Sequence, residues 1–158
     1  MPPPLLFSLD GIDLDTITAP IEAIRKVNPQ RYEMEQLTGI IHADAEARRL
    51  VAERRIAEDE WWMRGHIPGR PLLPGVLMIE AAAQACAYLY KVMDPAEDRF
   101  IGFGGVQDVK FRGQVVGGDR MIILVETRAK RSRKAIFGAQ GLVDAQMVFE
   151  AEIVGMPL

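Results

Sequence analysis

The sequence predicts an α+β domain in which an antiparallel sheet curls round one long apolar helix. Two observations carry that prediction. From Gly75 to about Met93 runs a nearly unbroken apolar stretch, and Glu80 is the only charged residue between Pro71 and Tyr90. A helix that is apolar on nearly every face is expected to be wrapped by other structure, and alanines such as Ala81, Ala82 and Ala85 let the wrapping approach closely. After Asp94-Pro95 the chain turns strand-like without β-α alternation. Strands that follow a helix in this way argue for an antiparallel sheet.

Length and composition suit a single domain over residues 1–158. The chain is 49% hydrophobic and 26% charged, ordinary for a globular protein with a real core. A net charge of −3 argues against nucleic acid as a partner. With one cysteine, Cys86, no intramolecular disulfide or cysteine-based metal cluster can form from one chain. The N-terminus lacks a basic region and soon turns acidic at Asp10, Asp13 and Asp15, so it does not read as a signal peptide. No charge-free stretch reaches the length of a membrane span, and a cytoplasmic protein with no membrane partner is expected.

In chain order, residues 1–15 read as a loose lead-in. A short helix is expected over 19–27, capped by Thr18, with Pro20 in its first turn and Asn28-Pro29 as its stop. Residues 37–43 and 48–57 read as two strands joined by a polar turn at Asp44-Ala45-Glu46. A loop over 61–74 is punctuated by Gly65, Pro68, Gly69, Pro71 and Pro74. Beyond the long helix, strands are expected over 100–106, 109–115, 120–130, 135–143 and 146–154. Turns at Gly117-Gly118-Asp119, Ser132-Arg133 and Asp144 separate the later ones. His42 is expected on a strand surface, and Trp61 and Trp62 at an interface or rim. Cys86 reads as a small core residue whose apolar surroundings keep its thiol protonated.

The chemistry concentrates between His66 and Glu80. Pro68, Pro71 and Pro74, spaced by three, fix the backbone of the loop and remove three donors. His66 at the start of so stiff a loop is well mounted for acid-base work. Glu80, one turn into the apolar helix, is costly to bury without a purpose or a partner, and desolvation would favour its protonated form. Gln84 lies one turn further on the same face and can orient it. Gly75 and Val76 open the helix, where free amide groups can hold an oxygen that gains negative charge, and glycine admits a substrate close to the backbone.

This segment resembles the signature of the FabZ-type dehydratases, H-F-P-G-R-P-x-x-P-G-V-x-x-x-E. The match runs through His66, Pro68, Gly69, Arg70, Pro71, Pro74, Gly75, Val76 and Glu80 with spacing intact. Weaker likeness at residues 24–32, at Phe111-Arg112-Gly113-Gln114 to Asp119, and at Val143-Asp144 extends it over roughly 21–155. The resemblance implies a hot-dog domain, working as a dimer or a trimer of dimers. It also implies reversible elimination of water from a (3R)-3-hydroxyacyl thioester on acyl carrier protein, in fatty-acid biosynthesis. His66 would take the α-proton, and Glu80 of the other subunit would protonate the leaving hydroxyl. Gly75, Val76 and Gln84 would serve the oxyanion and the substrate. No metal or organic cofactor is called for, because elimination needs only an acid, a base and an oxyanion site. The chain departs from the pattern at Ile67, which replaces a Phe, at residues 33–39, at Trp61-Trp62, and at Gln114 and Gly117, which replace prolines.

Arg128, Lys130, Arg131, Arg133 and Lys134 form a basic run on an expected hairpin. It reads either as a solvated turn or as a dock for an acidic carrier protein. Two other functions compete. A hot-dog thioesterase would use Glu80 to activate water, although the proline-rich histidine loop argues against it. A non-catalytic carrier-binding subunit would have little use for His66 and Glu80 together.

Overall fold

The computed structural model describes residues 1–158, built round α2 (Gly75–Met93), the only long helix. The strands are β1 (Ala19–Pro20), β2 (Gly39–Asp44), β3 (Arg49–Arg55), β4 (Ile101–Phe111), β5 (Arg120–Arg131), β6 (Lys134–Val143) and β7 (Gln146–Pro157). They form one seven-stranded sheet in the order β1-β2-β3-β5-β6-β7-β4, and every pairing is antiparallel. This is the α+β arrangement expected. The helix lies in the concave side, its Leu77, Met78, Ala81, Ala82, Ala85 and Leu89 buried against the sheet. By length and composition α2 could cross a membrane, but the sheet covers half of it here.

Alternation along the strands gives the sheet two apolar faces. Ile40, Leu50, Ala52, Ile123 and Val125 point to the helix. Their neighbours Ile41, Val51, Ile122 and Leu124 point away, into a second, smaller core. Residues of the N-terminal segment close that outer core: Phe7 is buried there, with Leu6, Leu9, Ile12, Leu14 and Ile17 packed round it. The Gln140 side chain holds the segment at two points, accepting from the Leu6 amide at 2.9 Å and donating to the Pro4 carbonyl at 3.1 Å. Arg49 lies over the Phe7 ring, 5.1 Å from its centre. The stretch expected to be loose has no helix or strand, but it is strapped across the sheet. Its partners lie far along the chain, which local composition does not reveal.

Two boundaries differ from expectation for physical reasons. The first helix, α1 (Ile21–Arg25), is shorter because Ala19 and Pro20 pair with Ile40 and Gly39 as strand. The strands expected over 100–106 and 109–115 are one strand, β4. Its register slips between Gln107 and Lys110, where Asp108 takes φ +52°. A bulge lets one strand carry on through a break in alternation. Only β7 pairs with β4, so the other side of this 11-residue strand is an open sheet edge.

Candidate functional site

The loop that carries His66 is fixed from both sides. The Trp62 carbonyl accepts from the His66 amide at 2.8 Å and the Gly65 amide at 3.3 Å. The Leu73 amide donates to the Val115 carbonyl at 2.8 Å, tying the loop to the stretch before β5. Ile67 takes φ +58°, a left-handed conformation that a β-branched residue adopts only under constraint. The constraint sits next to the histidine.

The His66 ring nitrogen Nδ1 lies 2.9 Å from the Leu72 carbonyl oxygen. A carbonyl only accepts, so Nδ1 carries the hydrogen and a neutral His66 keeps Nε2 as the basic nitrogen. His66 borders an open groove with Leu72, Gly75, Val76, Phe111 and Gln114. At the helix start the Leu77 amide donates to Pro74, while the Gly75 and Val76 amides have no acceptor in the chain. These are the orphan donors that a helix N-terminus leaves. A β-carbon at Gly75 would come within 2.8 Å of the Phe111 ring, so any other residue there must displace that ring. The groove thus combines a basic nitrogen with two free amides.

Glu80 stands elsewhere. It lies five positions beyond Gly75 and so points about 140° away round the helix. It lines an apolar cavity of about 110 Å³ with Ala83, Cys86, Phe100, Phe103 and Phe137. Gln84 is bonded to it: the Gln84 side-chain amide donates to Glu80 Oε1 at 2.8 Å and to the Met34 carbonyl at 2.6 Å, and accepts from the Gln36 amide at 2.9 Å. Asn28 adds a bond to the Gln84 backbone carbonyl at 2.9 Å. Gln84 is therefore a buried support for Glu80. Residues 28–36 supply these bonds, most of them through backbone atoms, so residue types alone do not reveal this role. Burial pushes the Cys86 thiol up, keeping it protonated.

Within one chain His66 and Glu80 do not share a cavity. The helix is also less fully wrapped than expected. Val76 is 70% exposed, and Glu80, Ala83 and Ala87 are only half-buried. These four fall within about 60° of one another round the helix and leave one apolar stripe without cover. Beside it the open edge of β4 presents Phe103, Val106 and Phe111, all exposed.

The remaining sequence-predicted residues divide. Trp61 is exposed, but Trp62 is a core residue at 2% exposure, not a rim residue. His42 is half-buried on β2. In the basic run, Arg128 pairs with Glu152 at 2.7 Å and Lys130 with Asp94 at 2.9 Å. Arg131, Arg133 and Lys134 are exposed at the hairpin between β5 and β6. Lys130 meets Asp94 at the C-terminal end of α2, a helix about 28 Å long from the end that bears His66.

Comparison with known proteins adds the following. Residues 28–152 match the model of the FabA-like domain family. The 3-hydroxyacyl-[acyl-carrier-protein] dehydratase FabZ of Neisseria meningitidis is 37% identical over 142 residues, 87% of this chain and 95% of the relative. The enzyme of the same name from Moorella thermoacetica is 32% identical over 132 residues, 84% of this chain and 92% of the relative. Among solved structures, the dehydratase heterocomplex ApeI:P from Xenorhabdus doucetiae superposes with a TM-score of 0.72 at 14% identity, covering 85% of this chain and 90% of that one. A sigma28-regulated virulence protein from Campylobacter jejuni does so with a TM-score of 0.63 at 17% identity, covering 94% of each chain. At these identities the superpositions establish the shared fold.

Proposed function

The chain belongs to the FabA-like family and is a FabZ-type 3-hydroxyacyl-[acyl-carrier-protein] dehydratase of the hot-dog fold, and on that premise we propose that His66 and Glu80 of the partner subunit are its base and acid. The observation that carries this assignment is the Leu72 carbonyl on His66 Nδ1. It leaves Nε2 basic beside the two unpaired amides of Gly75 and Val76. His66 Nε2 takes the proton from C2 of a (3R)-3-hydroxyacyl thioester. The thioester oxygen, gaining charge, is held by the free amides. The C2–C3 double bond forms as the C3–O bond breaks, and protonated Glu80 of the partner subunit delivers its proton to the departing hydroxyl, giving water and a trans-2-enoyl thioester. The acyl tail lies in the apolar cavity beside that glutamate.

A homodimer made through β4 supports the pairing of the two groups. A long open edge with an apolar row needs cover. The His66 groove lies by Phe111, at one end of β4, and the Glu80 cavity by Ile101 and Phe103, at the other. Two β4 strands side by side and antiparallel set the first end of one against the second end of its twin. His66 then faces Glu80 of the partner subunit, and the uncovered helix stripe gains its cover. We further assign the enzyme to fatty-acid biosynthesis in the cytoplasm, with acyl carrier protein meeting Arg131, Arg133 and Lys134.

The test is to incubate purified protein with 2-enoyl and (3R)-3-hydroxyacyl thioesters of several chain lengths, on CoA and on carrier protein, following enoyl absorbance. Turnover by the wild type that is absent in His66→Ala supports the assignment. Equal turnover in both excludes His66 as the base.

A further inference from the structure

A buried charge cluster two turns of chain before His66 has no role in the chemistry described so far. Glu60 is nearly inaccessible, its side chain 9% exposed, and its partner Arg54 on β3 is 8% exposed. One Glu60 oxygen accepts from the Arg54 guanidinium at 2.5 Å and from the Trp62 indole nitrogen at 2.6 Å. The other accepts from the Ala57 amide at 3.0 Å. A buried ion pair is a weak source of net stability, and fixing a conformation is its better-attested use. Here the conformation fixed belongs to Trp62. Its indole is held by Glu60, its ring is packed in the core, and its carbonyl accepts the amide of His66.

We propose that Glu60 is a positioning residue for His66, acting through Trp62. The route is continuous: from Arg54 in the sheet to the Glu60 carboxylate, to the Trp62 indole, through the Trp62 carbonyl to the His66 backbone. The Leu72 carbonyl fixes the ring, and the Glu60 cluster fixes the backbone from which the ring hangs. Both are needed to aim Nε2, because a base displaced by an ångström loses much of its effect. The inference rests on His66 being the base.

The test uses Trp62→Phe, which keeps a ring and removes only the indole donor, beside Glu60→Gln and the double variant, all in the full chain. Two readouts are taken. The first is kcat and KM for an enoyl or hydroxyacyl thioester. The second is the pair of imidazole nitrogen signals of His66 in nitrogen-15-labelled protein, with His42 as internal reference. The expected result for Trp62→Phe is a fall in kcat of about tenfold with KM within about twofold, as for loss of an interaction that acts in the transition state. His66 signals should shift toward mixed tautomers while those of His42 stay. The double variant should lose no more than the worse single variant, because both cut one route. Unmoved His66 signals and an unchanged kcat in Trp62→Phe would overturn the proposal, as would losses that simply add. If Glu60→Gln does not fold, Trp62→Phe alone decides. If the wild type turns over no thioester, the dehydratase reading fails, whereas the imidazole signals still decide the positioning.

Discussion

The two ends of α2 are built to opposite rules. At its N-terminal end the backbone is left unpaired: the Gly75 and Val76 amides have no acceptor, and a strained Ile67 sits beside His66. At its C-terminal end the groups are paired. The Asp94 amide caps the Tyr90 carbonyl, Lys130 reaches the Asp94 carboxylate and lies 4.9 Å from the centre of the Tyr90 ring, and Glu97 holds Arg99. One end leaves its donors unpaired, whereas the other engages its groups in the fold. On the proposed assignment, functional and stabilising groups are separated along a single helix, and substitutions at the two ends should separate activity from stability.

The largest effect should come from the proposed base and acid. His66→Ala or Glu80→Gln is expected to lower kcat by about 10²–10⁴, the range of a general acid or base, with circular dichroism and melting little changed. A loss confined to melting temperature would break the contrast. Next comes Gly75→Ala. The new β-carbon would meet the Phe111 ring at 2.8 Å, and moving that ring is expected to cost about 1–3 kcal/mol and to lower kcat as well, by denaturant titration and turnover respectively. A smaller, selective effect is expected from reversing Arg131 and Arg133 to Glu. KM for carrier-bound substrate should rise several-fold while KM for the CoA thioester holds, if these charges meet an acidic partner. At the paired end, Asp94→Asn should cost less than about 1 kcal/mol, as partly exposed ion pairs do, and leave kcat alone.

The smallest effect is one of pH. Hydrogen bonds from the Arg99 side chain and backbone lower Glu97 from 4.5 to about 2. A depressed carboxylate stabilises the fold fully above its unfolded value and loses that contribution as pH falls through the folded one. Melting temperature in acid should therefore drop between about pH 4.5 and 2, and Glu97→Gln should flatten part of that drop. An unchanged acid limb in Glu97→Gln would remove this pair from the account.

The parts legible in the sequence are those fixed locally. α2 runs from Gly75 to Met93 because prolines precede it and Asp94-Pro95 follows. Glu80 and Gln84 meet because residues four apart share a helix face. What escaped was set by distant partners or by backbone. Trp62 looked like a surface aromatic, and only the fold of β3 against its loop brings Arg54 and Glu60 round the indole. β4 looked like two strands because its bulge interrupts the alternation on which strand prediction depends. The motif marks His66, but its basic nitrogen is set by the Leu72 carbonyl, which any residue at that position would offer.

The grip of Gln140 on Pro4 and Leu6 also bears on how the protein folds. These bonds span 136 and 134 positions. The segment of residues 4–7 can therefore dock only on a sheet that already contains β6. Until the β5–β6 hairpin forms, the outer surface of the sheet has no strap, and the apolar N-terminal segment has nothing to dock on. Contacts so far apart are slow to form and leave sticky surface bare meanwhile. A partly folded chain whose sheet has formed without this strap is thus the species most prone to aggregation.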